Sequence, residues 1–168
     1  VKIAGIPFGF ILVAAATLAP SPAFAKRAFS QDGWRLVIRD DRFTGQIACR
    51  LSSTNHHMRY QPGAVGFFVG HRHDTLAAWY RVDGGAPVRW QDRSAALIAA
   101  GVKIDSPDLD DVTGGWIWIP VDEVQRASLV AIRPGDRART RHFHLRGFAA
   151  MREAATRLGC SSNDIFRL

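Results

Sequence analysis

All six histidines of the chain fall in three close pairs: His56–His57 in NHHM, His71 and His73 in HRHD, and His142 and His144 in RHFH. Imidazole binds metals and moves protons, so the spacing of each pair decides what chemistry is open to it. Residues two apart in a strand share a face, which lets His142 and His144 approach one ion. Phe143 and Leu145 alternate with them, however, and that is the pattern of any amphipathic strand. Its apolar pair turns inward and His142, His144 and Arg146 turn to water, where Arg146 would repel a divalent cation. His71 and His73 sit beside Asp74 in an expected hairpin connection, a better ligand mixture on a less regular frame. His56 and His57 are adjacent and would point to opposite faces. No spacing matches HExxH or a Cys/His zinc pattern. No metal site and no cofactor are therefore assigned, and His71, His73 and Asp74 stand as the weak candidates.

Other catalytic patterns are missing from the sequence too. It has no G-x-S-x-G elbow, no P-loop and no G-x-G-x-x-G turn. Asp108, Asp110 and Asp111 have the composition of a calcium loop but lack its glycine and distal glutamate. A triad of scattered Ser, His and Asp is defined by geometry rather than order, so spacing cannot address it. The expectation is a non-enzymatic protein. The rivals are an exported hydrolase working through His and Asp groups, and a metal-binding module built on the histidines.

The strongest surface feature is a run of five arginines in fourteen residues: Arg133, Arg137, Arg139, Arg141 and Arg146. Guanidinium is the bidentate partner of phosphate and carboxylate, so such a stripe is a candidate anion-binding surface. The alternative is a solvated basic hairpin in a chain rich in arginine throughout. Trp79 and Trp90 are expected nearby, either as stacking platforms or as core packing.

Charge and chain ends narrow the class of partner. The chain carries 22 Lys and Arg against 15 Asp and Glu, a net charge of +7. Residues 1–25 open with Lys2, run apolar, and close on Ala23-Phe24-Ala25, the layout of a secretory signal peptide with an A-x-A cleavage site. A membrane anchor is the competing reading, but Pro7 interrupts the apolar run and no basic stop-transfer flank follows it. Residues 26–168 then form a single exported β-rich domain with no permanent membrane anchor after cleavage. A basic protein in the periplasm, or secreted, meets anionic envelope components or protein partners, and no nucleic acid.

Two cysteines remain, Cys49 and Cys160. In an oxidising compartment they read as one disulfide closing a loop of over a hundred residues, the alternative being two buried thiols.

The elements that must position these groups are mainly strands. WRLVIR (34–39) alternates Trp34, Leu36 and Ile38 on one face, and QIACRLS places Ile47, Cys49 and Leu51 on one face, so Cys49 points inward. STNHHMRYQPG lacks periodicity and reads as a loop. AVGFFVG, LAAWYRV, the short VRW after DGGAP, and WIWI read as further strands. SAALIAAG (94–101) reads as a short helix capped by Ser94, and PVDEVQRAS as another with Pro120 at its first turn. LVAIRPGDRARTRHFHLR reads as a hairpin turning at Pro134-Gly135-Asp136. GFAAMREAATRLGC is the clearest helix, with Phe148, Met151, Ala155 and Leu158 on one stripe and a Glu153–Arg157 pair opposite. The fold class is α+β: mainly antiparallel β, as a small sandwich or curled sheet, with short helical inserts and a C-terminal amphipathic helix.

Four stretches, DGWRLVIRDDRFTGQIACRL, YRVDGG, IWIPVDEV and HFHLRGFAAMREAA, resemble the invasion-associated locus B family of bacterial periplasmic proteins. The resemblance spans most of the exported domain and rests on short, mostly structural motifs. Members often carry a further central Cys pair, which this chain lacks. The resemblance implies a β-rich periplasmic or surface-associated protein tied to host-cell invasion or envelope function, with no catalytic residues to carry over.

Overall fold

The computed structural model describes residues 24–41, 43–70, 75–102, 104 and 115–160. Ten strands form two antiparallel sheets. Strands β1 (Phe24–Gln31), β2 (Trp34–Asp41), β3 (Ile47–Ser53), β4 (Met58–Gln61), β5 (Ala64–Phe68) and β8 (Trp116–Pro120) make the first, in the order β1-β2-β3-β4-β5-β8. Strands β6 (Trp79–Val82), β7 (Val88–Arg89), β9 (Leu129–Arg133) and β10 (Arg141–His144) make the second, in the order β10-β9-β6-β7. Three helices complete the fold: α1 (Gln91–Ala99), α2 (Val121–Val124) and α3 (Phe148–Arg157).

Alternation builds the first sheet. Trp34, Leu36 and Ile38 are fully buried while Arg35 and Arg39, on the opposite face of the strand, are exposed. Burial of each such side chain is worth roughly 1.5–3 kcal/mol over leaving it in water. Leu51 and Cys49 pair with Leu36 and Ile38 on the same inner face. The second sheet presents Tyr80, Val130, Ile132 and Phe143 to this core. Phe67 of β5 meets Phe143 of β10 edge-on at 5.2 Å between ring centroids, joining the two layers.

Helix α3 lies against β2 and β3. Phe148 reaches the Trp34 ring at 4.9 Å and the Tyr60 ring at 5.8 Å, and Met151 and Ala155 are buried behind it. Leu158, on the same stripe, is half-buried, and Arg157 pairs with Glu153 at 3.2 Å on the exposed side. The helix delivers Cys160 to Cys49, and the two form a disulfide with Cα atoms 5.9 Å apart.

Two glycines permit close approaches. A Cβ on Gly66 would lie 2.7 Å from the Trp118 ring, which crosses the sheet over that position. Gly147, at φ +82°, leads into α3, and a Cβ there would overlap the Asp32 Cβ in the β1–β2 turn.

Four local features differ from the sequence reading. Strand β1 carries no apolar alternation, because residues 26–31 are all exposed; its ladder to β2 holds it. It begins at Phe24, two residues before the expected cleavage point. Strand β4 lies within the stretch read as a loop, with Met58 and Tyr60 buried on one face. Helix α1 begins at Gln91, after Trp90, because Ser94 bonds back to the Gln91 carbonyl (2.9 Å) instead of capping. Pro120 stands just before α2, at its cap position. Among the described residues, no helix is long and apolar enough to cross a membrane.

Candidate functional site

The solvent face of the second sheet gathers cations around one aromatic ring. Trp79 on β6 lies opposite Arg133 of β9 on one side and Arg89 of β7 on the other. In the next row Arg81 lies opposite Ala131, which lies opposite His142 of β10. Directly opposed residues share a face, so Arg89, Trp79, Arg133, Arg81 and His142 project together. Their strand-mates Tyr80, Val130 and Ile132 project the other way, into the core. Trp79 is half-buried and forms the floor of an open cleft of about 520 Å³ rimmed by Arg81, Arg133, Thr140 and His142.

This cleft is electropositive without compensation. Among the described residues no carboxylate lines it. Arg27, Arg93 and Arg157 are paired with Asp40, Glu123 and Glu153, all outside the cleft. Arg81, Arg89 and Arg133 make no ion pair among the described residues. Arg81 and Arg133 in the cleft, with Arg89 on the same face beside it, carry like charge, and a phosphate or carboxylate placed among them is attracted by all three.

The five arginines singled out in the sequence are divided among three places. Arg133 belongs to the Trp79 face. Arg137 and Arg139 are exposed on the β9–β10 connection. Arg141 is register partner to Ile132 and so leaves β10 on the opposite side; with Arg146 it lines a second cleft, of about 580 Å³. Sequence reasoning missed Arg81 and Arg89. The alternation Trp79-Tyr80-Arg81 carried the signal for the first, but only the sheet order brings either beside Arg133. Trp90 is not part of the surface: it is 1 % exposed, and its indole N–H donates to the Trp118 carbonyl at 2.7 Å. Packing is its role.

The histidines are partly gathered. His57, His142 and His144 line the second cleft with Asp32 and Asn55, and the His57 ring stacks near Phe68 at 6.1 Å. Phe143 and Leu145 are buried while His142, His144 and Arg146 are exposed, the amphipathic arrangement expected for β10. His71, His73 and Asp74 lie outside the described residues, as do Asp108, Asp110 and Asp111. Among the described residues no group of three His, Cys, Asp or Glu could hold a metal ion.

Two further polar groups near these clefts are already committed. Ser53 donates its hydroxyl to Asn55 Oδ1 at 2.6 Å and accepts from the Met58 N–H at 2.8 Å, so it is a turn-stabilising group and not a poised nucleophile. Tyr80 donates to Glu123 Oε2 at 2.7 Å, and Glu123 Oε1 meets Arg93 Nε at 3.2 Å. Burial, reinforced by the Glu123 carboxylate, holds the Tyr80 phenol far above its ordinary ionisation range. The chain Tyr80–Glu123–Arg93 ties β6 to α2 and α1. Asp83, in the β6–β7 turn, accepts from the backbone N–H groups of Ser128 (2.9 Å) and Leu129 (2.8 Å), fixing β9 against β6.

No family model, no curated protein and no solved structure matches the chain.

Proposed function

We propose that the protein is an exported, non-enzymatic binding protein of the periplasm or cell surface, and that the Arg89–Trp79–Arg133 face takes an anionic component of the envelope. One observation carries this reading: three arginines that have no carboxylate partner among the described residues flank a half-buried tryptophan on one sheet face. Anions of lipid headgroups and envelope polymers supply what the guanidinium groups lack, and the indole offers a flat surface to a sugar or acyl segment beside them. The Cys49–Cys160 disulfide suits an oxidising compartment. The resemblance to the invasion-associated locus B family agrees with an envelope role.

The test is co-sedimentation of the oxidised protein with phosphatidylcholine vesicles, with and without phosphatidylglycerol, at low and physiological salt. The reading expects binding only to the anionic vesicles, weakening as salt rises. Equal binding to both vesicle types, or to neither, would overturn it.

A further inference from the structure

We propose that β10 is a docking edge that takes up an extended acidic peptide as an added strand. Among the described residues β10 is the outermost strand of the second sheet, bonded on one side to β9 alone. The Leu145 N–H donates to the Ser128 carbonyl at 3.0 Å, in continuation of the β10–β9 register. That sets Arg141, Phe143 and Leu145 as the residues whose backbone bonds to β9. By the alternation of an antiparallel ladder, His142 and His144 turn their N–H and C=O groups to the open edge. Those groups have no partner among the described residues.

The second cleft runs along this edge. Four consecutive residues, Arg141 to His144, line it. Successive side chains of a strand point to opposite faces, so a cleft that touches all four lies along the strand's flank. An unpaired flank beside open space is what strand addition requires.

Charge and shape select the occupant. Arg141, His142, His144 and Arg146 offer cationic or proton-accepting groups, and neither arginine makes an ion pair among the described residues. One carboxylate, Asp32, also lines it. Half-buried Phe68 supplies an apolar patch in the same cleft. A peptide alternating acidic and apolar residues satisfies all three: backbone to backbone, carboxylates beside His144 and Arg146, an apolar side chain against Phe68. This surface shares His142 with the rim of the Trp79 cleft but is otherwise built from other residues, and it takes a peptide where the Trp79 row takes a polyanion.

The experiment is fluorescence anisotropy of the oxidised protein with a labelled peptide of alternating Glu and Val, about eight residues long to match a strand. Three comparisons accompany it: the same peptide N-methylated at alternate residues, His144→Pro protein, and protein carrying Arg141→Ala with Arg146→Ala. Proline at 144 leaves the β9 ladder intact, since that N–H faces outward, and prolines are tolerated on such edges. We expect the plain peptide to bind, and each of the three changes to weaken it by at least about tenfold, the loss of one or two hydrogen bonds to charged or backbone groups. Trp79→Ala should leave it unchanged. Absence of binding, or equal binding of the N-methylated peptide, overturns the proposal. So does a sulfated dextran bound at Arg141 and Arg146 but indifferent to His144→Pro, which would make the cleft a polyanion site. A homodimer lost in His144→Pro would give the edge to a second copy of the chain and overturn it equally.

Discussion

Trp79 stands directly across the β6–β7 ladder from Arg89, at a pair that exchanges no backbone hydrogen bonds, because Trp90 N–H and Ala78 C=O make the neighbouring bond at 2.9 Å. In antiparallel sheets such pairs hold their side chains closest. The indole therefore has one guanidinium on its near flank and Arg133, one strand over on the other side, on its far flank. Trp79→Ala is expected to weaken anionic-vesicle binding by about three- to thirtyfold, in line with loss of a central aromatic contact. Its melting temperature should stay close to that of the parent, since Trp79 is only half-buried; titration of the variant against the same vesicles checks both points.

The disulfide should carry much of the stability. Cys49 and Cys160 close a separation of 111 residues, worth about 4–5 kcal/mol in the chain-entropy account. Denaturant unfolding with and without reductant is expected to show a large drop in midpoint. The Cys49→Ala, Cys160→Ala double variant should match the reduced protein. The loss should be felt first at α3, which the bond pins to β3.

Much of this frame was legible in the sequence, for reasons tied to particular residues. Trp34-Leu36-Ile38 announces a strand because one face of it is buried, and Trp116-Ile117-Trp118-Ile119 does so as a short apolar run largely buried on both faces. Cys49 and Cys160 form the disulfide expected from an even cysteine count in an exported chain, rather than the alternative pair of buried thiols. β1 was not legible: with residues 26–31 all exposed, only its ladder to β2 defines it. β4 was hidden because Met58 and Tyr60 are too short a run to stand out from the polar loop residues around them. The site itself depends on the pairing of β6 with β9, strands separated in sequence by α1, β8 and α2. No local pattern brings Arg81 and Arg89 beside Arg133, or His57 beside His142.

Gly147 and Asp32 make a second tight relationship. Gly147→Ala places a Cβ into the Asp32 Cβ at a backbone conformation that side chains rarely adopt. A cost of about 1–3 kcal/mol is expected from strain and overlap together. Asp32 itself has φ +48°, so Asp32→Gly is tolerated there and removes the atom that collides. The double variant should recover part of the loss, leaving the conformational share; a double-mutant cycle by chemical denaturation reads the coupling.

Tyr80 gives the fold an alkaline limit. Its phenol is held neutral in the folded state, chiefly by burial, while the unfolded chain ionises it near pH 10. A raised folded-state value means that its contribution is fully present below about pH 10 and is lost as pH rises beyond that. Stability is therefore expected to fall above about pH 10. Tyr80→Phe should be less stable at neutral pH by roughly 1–2 kcal/mol, because Glu123 loses a donor, yet show a shallower alkaline decline. Thermal melts of both proteins across neutral to alkaline pH measure the two slopes.

Arg81, Arg89 and Arg133 project from one sheet face, proposed above to bind anions. The most direct measurement is the affinity of the oxidised protein for phosphatidylglycerol-containing vesicles over a range of salt, compared with a variant carrying Arg81→Ala, Arg89→Ala and Arg133→Ala. All three side chains are exposed, so the variant should fold and melt like the parent. Binding by the parent is expected to fall steeply with salt, and the variant to bind at least about tenfold more weakly with a visibly flatter salt dependence. Parent and variant with the same affinity and the same salt slope would contradict it.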